Sequence, residues 1–132
     1  MVMQDCQEAL RGLLSALLEL SEDDIKDIQI RNPIDYGSHM NEKEIVLDIA
    51  LLLNDNQLIN IEMQVYRFDF WEDRSLFYTC RMVASQKMET HYQNLLPVTH
   101  IGIMDYTLFP EMPRFYSEYQ LRERQQKPCL SF

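Results

Sequence analysis

Two apolar segments joined by a short polar turn constrain the fold of this chain more than any other feature. Residues 45–53, IVLDIALLL, are almost continuously apolar, as expected of a central strand covered on both faces. Residues 58–68, LINIEMQVYRF, have the composition of a second strand, and the intervening NDNQ is a cluster of turn-forming residues. The pattern predicts a β-hairpin at the centre of a sheet.

Three polar side chains interrupt this hairpin. Asp48 lies inside the first strand, while Glu62 and Gln64 lie two residues apart in the second and so point to one face. A buried carboxylate without a partner is costly, and two carboxylates on neighbouring strands repel unless a cation lies between them. Oxygen ligands of this kind suit Mg²⁺ and Mn²⁺. We therefore predict that Asp48 and Glu62 hold a divalent cation and that Gln64 orients a water or a phosphate beside it.

Simpler interpretations exist for the same side chains. Asp48 could lie at a bulge or pair with Arg31 or Lys43, and Gln64 could be a hydrogen-bonded amide of the core. The cation hypothesis requires Asp48 and Glu62 to share one face of the sheet.

The register of the hairpin decides whether they do. Asp48 can face Glu62 only if residues 54–56 form a three-residue loop. Such loops usually end in a residue with a left-handed backbone, so we expect Asn56 at positive φ. A two-residue turn would place Asp48 opposite Met63 and turn Glu62 to the other face.

The remaining segments predict a mixed α/β fold around the hairpin. Apolar residues with helical spacing precede the hairpin and return directly after it. A helix that joins two neighbouring strands favours a parallel pair. The segments are a helix over 6–20, a strand over 25–33, a helix over 72–90, a strand over 97–109 and a candidate edge strand over 114–122. The length of 132 residues suits a single domain, residues 1–132.

The composition limits the functions open to the chain. A net charge of −9 disfavours a passive nucleic-acid binder, because contacts with phosphates supply most of such affinity. It leaves room for an enzyme that reaches DNA through metal ions and a local basic surface. No apolar run approaches the ~20 residues of a membrane span, and the N-terminus lacks the pattern of a signal peptide. We expect a cytoplasmic protein whose three cysteines are buried and whose three histidines lie in loops or on the surface.

Three ordered segments resemble a known family. The spacing D-x13-E-x-Q occurs in VLDIALLLNDNQLINIEMQ, which is followed by DRSLFYTCRMVASQ and YQNLLPVTHIGIMDYTLF. Over most of its length the chain resembles the recombination-promoting nuclease/putative transposase group of the PD-(D/E)XK nuclease superfamily. The resemblance implies a restriction-endonuclease-like αβββαβ core, with a central mixed sheet flanked by helices, and Mg²⁺-dependent hydrolysis of DNA phosphodiesters. Compared with the group, we expect the chain to be shortened at both ends, as a fragment of a longer member would be.

The resemblance also implies roles for individual residues. Asp48 and Glu62 would be ligands of Mg²⁺ or Mn²⁺, and the main-chain carbonyl of Met63 would be a third ligand. Gln64 would stand where the superfamily has a catalytic lysine, which leaves hydrogen bonds in place of a positive charge. Gln86, on the helix after the hairpin, would position a water or a phosphate, although it also fits an ordinary helix residue.

Basic and aromatic residues after the hairpin predict partners. Four basic side chains are expected to help line the DNA-facing side of the hairpin: Arg67, Arg74, Arg81 and Lys87. Four aromatic side chains, which could equally belong to the core and its rim, would form an exposed patch and favour a homodimer or a larger assembly: Tyr66, Phe68, Phe70 and Trp71. The alternative to a nuclease is a catalytically inactive remnant of the fold that serves as an interaction or dimerisation domain.

Overall fold

The computed structural model describes residues 2–31, 46–67, 69–86, 92–112 and 114–121, without the side chains of 2–5 and 46–48. Within these ranges the chain forms two α-helices and four strands. In chain order they are α1 (Val2–Leu18), β1 (Ile28–Arg31), β2 (Val46–Leu53), β3 (Gln57–Gln64), α2 (Trp71–Ala84) and β4 (Val98–Met104), with short 3₁₀ turns at Glu22–Asp24 and Tyr92–Asn94.

The four strands form one mixed sheet in the order β1-β2-β3-β4. The first two pairs of neighbours are antiparallel, whereas β3 and β4 run parallel. Parallel neighbours need a long crossover connection, and the segment that contains α2 provides it. The predicted αβββαβ order and the mixed, restriction-endonuclease-like sheet are therefore confirmed.

The central hairpin has the register that the cation hypothesis requires. Asp48 pairs with Glu62, and Leu53 pairs with Gln57. Directly opposed residues of an antiparallel pair lie on the same face of the sheet. The alternative register, with Asp48 opposite Met63, is excluded because Met63 pairs with the preceding residue of β2.

The turn of the hairpin differs from the expected one. The prediction of a left-handed Asn56 is wrong, since Asn54 and Asp55 have the positive φ values, 50° and 56°. They are the central residues of a turn closed by a hydrogen bond from the Asn56 N–H to the Leu53 carbonyl (3.0 Å), as in a type I′ turn. The side chain of Asn54 makes three hydrogen bonds of 2.8–3.1 Å to the main chain of residues 24–27. These bonds fix the left-handed backbone at Asn54.

One face of the sheet is apolar and packs against α1. Residues with odd numbers in β2 and β3 point to this face, because side chains alternate along a strand. Leu14 of α1 and Ile25 complete the core on this side. The buried cluster consists of Leu14, Ile25, Leu51, Leu53, Ile59 and Ile61. The spacing of leucines in α1 thus reflects burial against the sheet.

The opposite face of the sheet is covered by α2. Trp71, Tyr78 and Met82 form the buried side of this helix. Gly102 of β4 allows the close approach, because a Cβ at this position would lie 2.2 Å from the Trp71 ring. The helix begins directly after Phe70, whose left-handed backbone (φ 70°) marks a sharp turn into α2.

Several sequence-based expectations differ from the structure. β3 ends at Gln64 and α2 at Ala84, both earlier than the apolar patterns indicate. The described part of the expected edge strand, residues 114–121, is not a strand, and its exposed side chains gain no burial that would stabilise one. None of the described helices has the length and apolar character of a membrane-spanning segment.

Burial also corrects the cysteine and aromatic predictions. Cys6 and Cys80 are exposed rather than buried. Trp71 is buried over Gly102, whereas Tyr66 and Phe70 are exposed as predicted. Phe68 and Cys129, which belong to these two predictions, lie outside the described residues, and so does Lys43, an alternative partner of Asp48.

Candidate active site

The face of the sheet beneath α2 carries a row of buried polar side chains. Asn60, Glu62 and Gln64 alternate along β3, and the exposed fraction of each is 3% or less. Asp48 lies opposite Glu62 in β2, on the same face. The sequence therefore places two carboxylate residues side by side in the middle of the sheet, with an amide on either side of Glu62.

Arg74 neutralises Glu62 from above. The Arg74 Nη2 and Nε atoms lie 3.0 Å and 3.1 Å from Oε1 of Glu62, and both side chains are largely buried. The sequence predicts that a metal ion supplies the charge that compensates this carboxylate. The structure shows that α2 supplies a protein cation to the same carboxylate. A guanidinium that makes two contacts with one oxygen also fixes the orientation of the carboxylate.

His100 approaches the other oxygen of Glu62. Its Nε2 atom lies 3.7 Å from Glu62 Oε2, and its side chain is 3% exposed. Burial and then the positive charge of Arg74 lower the pKa of His100 from 6.5 to about 4. The imidazole is therefore neutral at pH 7, and the contact with Glu62 is not an ion pair there. The expectation of a surface or loop histidine is wrong for His100, because β4 turns it toward the covered face. His39 and His91 lie outside the described residues.

Aromatic rings of α2 enclose these polar groups. The ring centroids of Trp71 and Tyr78 lie 5.7 Å and 6.3 Å from that of His100. The Arg74 guanidinium lies 4.7 Å from the centroid of Tyr78, within the range of a cation–π contact. Apolar walls of this kind lower the local dielectric constant, so charge interactions at Glu62 are stronger than they would be in water.

Gln64 presents a fixed acceptor at the end of the row. Its Nε2 donates a hydrogen bond to the Tyr66 carbonyl (3.0 Å), which can only accept. The amide is therefore oriented with Oε1 on its other side. Across the part of the chain that the structure describes, this buried oxygen has no hydrogen-bond partner. An acceptor held in this way is suited to accept a hydrogen bond from a bound water.

Gln86 is placed away from this row. It follows the end of α2, and its amide makes two hydrogen bonds to the main chain of Leu96, donating at 3.0 Å and accepting at 2.8 Å. These bonds tie the end of α2 to the segment that leads into β4. The geometry assigns Gln86 a structural task, and no described contact joins it to Glu62 or Gln64.

Three of the four basic residues predicted for DNA lie within the described residues. Arg74 is engaged with Glu62, and Arg81 is half-buried one heptad further along α2. Arg67 is exposed, beside an open depression that Asp69 and Glu72 also line. Lys87 lies outside the described residues.

The oxygen-bearing side chains of Asp48, Glu62 and Gln64 are of the types that bind a divalent cation. Carboxylate and amide oxygens on adjacent residues of one face are ligands of the kind that Mg²⁺ and Mn²⁺ bind. The unpartnered Oε1 of Gln64 and the pairing of Asp48 with Glu62 both agree with this chemistry. Among the described side chains, no three of the His, Cys, Asp or Glu type lie close enough to hold a metal ion. The side chain of Asp48 is outside the described side chains. The described contacts of Arg74 with Glu62 are both to Oε1, so a cation on the Oε2 side need not displace them.

The approach of Arg74 and His100 to Glu62 is not predicted from the sequence alone. Arg74 precedes Tyr78 by one helical turn, and Trp71 precedes Arg74 by nearly one, a spacing that places all three on one side of α2. His100 is followed two residues later by Gly102, and both lie on the face of β4 that α2 covers. A histidine and a glycine alternating in an otherwise apolar strand are the signal that could have indicated a buried polar site.

Comparison with known proteins gives one result. A family model described as PD-(D/E)XK nuclease family transposase matches residues 4–131 of the 132-residue chain. No curated protein and no solved structure matches it. The matched range contains every residue of the polar row and of its α2 cover.

Proposed function

The chain belongs to the PD-(D/E)XK nuclease transposase family, which indicates a nuclease-type function, and from that premise we propose that it is a DNA endonuclease dependent on Mg²⁺ or Mn²⁺. The observation that carries the proposal is the hairpin register, which sets Asp48 directly opposite a Glu62 that is 1% exposed. Two carboxylate residues at the centre of a sheet are a poor arrangement for stability alone. They are the arrangement that a cation site requires.

Asp48 and Glu62 hold the cation in this proposal, together with the main-chain carbonyl of Met63. When bound, a divalent cation polarises the scissile phosphate and lowers the pKa of a water. Arg74 fixes the orientation of the Glu62 carboxylate through its contacts with Oε1. The second oxygen of Glu62, Oε2, faces His100 of the neighbouring strand β4.

Gln64 orients the attacking water. Its Oε1 accepts a hydrogen bond from the water while its Nε2 stays anchored to the Tyr66 carbonyl. A glutamine carries no charge and therefore stabilises less negative charge in the transition state than a lysine would. We accordingly expect slow turnover and a strong dependence on the cation.

DNA is the substrate in this proposal, as nuclease family membership implies. Arg67 and Arg81 are the described basic residues that we assign to its phosphates, with Lys87 as a further candidate outside the described residues. Asp69 and Glu72 lie beside Arg67 and repel phosphates. Binding is therefore expected to be weak and to decrease steeply with salt.

One observation favours the rival function, an inactive interaction domain. Arg74 already neutralises Glu62 without a metal, so the fold is stable with a protein cation at that carboxylate. Exposed aromatic side chains also lie on and next to the outer side of α2, where a partner could bind: Tyr66, Phe70 and Phe77. An interaction domain would keep these features and would cleave no DNA.

A plasmid-nicking assay tests the proposed function. The wild-type chain is incubated with supercoiled plasmid and Mg²⁺ or Mn²⁺, and chelation of the cation is expected to abolish nicking. Asp48→Asn and Glu62→Gln should each lower the rate at least about tenfold, because each removes a negatively charged ligand.

Glu22→Gln serves as the matched control, since Glu22 is an exposed residue of the 3₁₀ turn after α1. It should nick plasmid at the wild-type rate. Nicking that survives in Asp48→Asn and Glu62→Gln would refute the site. A wild-type chain that binds no cation and leaves the plasmid intact would favour the interaction domain.

A further inference from the structure

The strongest unassigned feature is the buried imidazole that faces Glu62. Nε2 of His100 lies 3.7 Å from Oε2 of Glu62, too far for a hydrogen bond. Within the described ranges Nε2 has no hydrogen-bond partner at all, although the side chain is 3% exposed. Leaving a buried polar atom without a hydrogen bond destabilises a fold. An unpaired ring nitrogen directed at a carboxylate therefore indicates a missing partner between them.

The distance fits an ion bound by both atoms. Nitrogen and oxygen ligands lie at roughly 2.0–2.2 Å from a transition metal, which sets two ligands of one ion roughly 3.0–3.5 Å apart. A shift of a few tenths of an ångström brings His100 Nε2 and Glu62 Oε2 into this range. Arg74 contacts the other oxygen, Oε1, and can stay in place.

Asn60 supplies the support that a ligating histidine usually has. Its amide nitrogen lies 3.2 Å from Nδ1 of His100, and its Oδ1 has no partner among the described groups. If the side-chain amide of Asn60 is turned by 180°, its Oδ1 can accept a hydrogen bond from a protonated Nδ1 of His100. The lone pair of His100 then resides on Nε2 and points at Glu62, the arrangement in which a second-shell acceptor orients a ligating imidazole.

We propose that His100 is a nitrogen ligand of the cation site formed with Glu62 and Asp48, so that the site selects Co²⁺, Zn²⁺ or Mn²⁺ over Mg²⁺. The proposal rests on the proposed function for the cation site itself and adds the ligand that sets its metal preference. Imidazole suits transition metals, whereas Mg²⁺ favours oxygen ligands and water. A site of two carboxylates and one imidazole therefore gains affinity for transition metals that it does not gain for Mg²⁺.

A direct test observes the ring nitrogen itself. The untagged His39→Gln/His91→Gln double variant retains His100 as its single histidine, because the chain has three. With ¹⁵N-labelled histidine, stoichiometric Zn²⁺ should shift the Nε2 resonance of His100. Stoichiometric Mg²⁺ should leave that resonance unchanged. Zn²⁺ that binds the double variant with an unshifted Nε2 resonance would overturn the proposal, and this readout requires no substitution in the site.

Trp71 provides the affinity measurement. It is the single tryptophan of the chain, and its ring centroid lies 5.7 Å from that of His100, so Co²⁺ at Nε2 should quench its fluorescence. His100→Gln should weaken Co²⁺ binding at least about tenfold and change Mg²⁺ binding, measured by competition or calorimetry, less than about twofold. His91→Gln is the matched control and should match the wild type.

The outcomes separate this proposal from the proposed function. If Glu62→Gln abolishes binding of both cations and His100→Gln affects neither, the cation site stands and His100 is not a ligand. If the wild-type chain binds neither Co²⁺ nor Mg²⁺, the cation site itself fails. Circular dichroism of each variant establishes that a loss of binding does not reflect a loss of fold.

Discussion

The two faces of β3 differ as much as the surface and the core of a protein, although both are buried. Ile59 and Ile61 point to the side of α1 and belong to the buried apolar cluster. Asn60, Glu62 and Gln64 point to the side of α2 and are no more exposed than the isoleucines. One strand of eight residues thus supports two separate interiors, one apolar and one polar.

This difference separates stability from chemistry within one sheet. The apolar face follows the usual rule that a strand buries hydrophobic side chains. The polar face violates that rule at three successive positions and is enclosed by Trp71 and Tyr78 rather than opened to solvent. Polar groups that a fold keeps buried at a cost are candidates for function, and the variants below test whether the two faces behave separately.

The largest expected effect is on the apolar face. Ile59→Ala should lower the free energy of unfolding by about 2–5 kcal/mol, because Ile59 is fully buried in the cluster beneath α1. Ile30→Ala is the control, since Ile30 is 65% exposed, and it should change stability by less than about 0.5 kcal/mol. Urea unfolding measures both. Equal effects of the two variants would contradict the assignment of the core.

The polar face should make the stability of the chain depend on pH through His100. The pKa of His100 is about 4 in the folded chain and 6.5 ordinarily, so the unfolded chain binds the proton more readily. The stability that the neutral His100 ring contributes is therefore fully present above pH 6.5 and is lost as the pH falls toward 4. Between pH 6.5 and 5 the wild type should lose about 2 kcal/mol through this group.

His100→Gln removes the titrating ring and should flatten the stability curve in that window. Chemical unfolding at several pH values gives the curves for both chains. A wild-type curve that matches the variant would show that His100 is not the buried neutral group described here.

Close contact between α2 and the sheet predicts a smaller effect. Gly102→Ala places a Cβ 2.2 Å from the Trp71 ring, so the ring or the helix must move, at a cost of about 1–3 kcal/mol. Gly12→Ala is the matched control in α1, where a Cβ meets nothing within 4 Å. It should stabilise the chain by about 0.5–1 kcal/mol, because alanine favours the helix. Thermal unfolding should show a loss of stability for Gly102→Ala and a gain for Gly12→Ala. A Gly102→Ala variant as stable as the wild type would contradict the close packing of α2 on β4.

The smallest effect on folding is expected outside both interiors. Phe77 is 59% exposed on α2, and Phe77→Ser should change stability by about 0.5 kcal/mol or less. The same change should weaken self-association if the exposed aromatic residues form the predicted homodimer surface. Light scattering at tens of micromolar compares the two chains. A wild-type chain that is monomeric at these concentrations would contradict the homodimer prediction.

Sequence reasoning succeeded where chain geometry is local. Residue numbers show that Asp48 and Glu62 can share a face only with a three-residue turn, and the structure has the register that this requirement predicts. The alternating pattern of β3 likewise predicts that Glu62 and Gln64 share a face. The crossover to a parallel β4 followed from helix length and strand order.

The parts that failed depend on tertiary contacts. The contact of Arg74 with Glu62, which the sequence does not reveal, depends on the rotation of α2 on the sheet, which Trp71 and Gly102 fix. Burial of His100 likewise depends on that helix and not on its own strand. The turn at Asn54 was mispredicted because its side chain bonds to residues 24–27, far away in sequence.

Calorimetric titration of Mn²⁺ tests the central claim, that the polar face of the sheet is a cation site and the apolar face is not. Wild type, Glu62→Gln and Ile61→Val are compared, because residues 61 and 62 are neighbours on opposite faces of β3. The wild type and Ile61→Val should bind the ion with the same affinity, and Glu62→Gln should bind it at least about tenfold more weakly. Equal binding by Glu62→Gln and the wild type would contradict the claim.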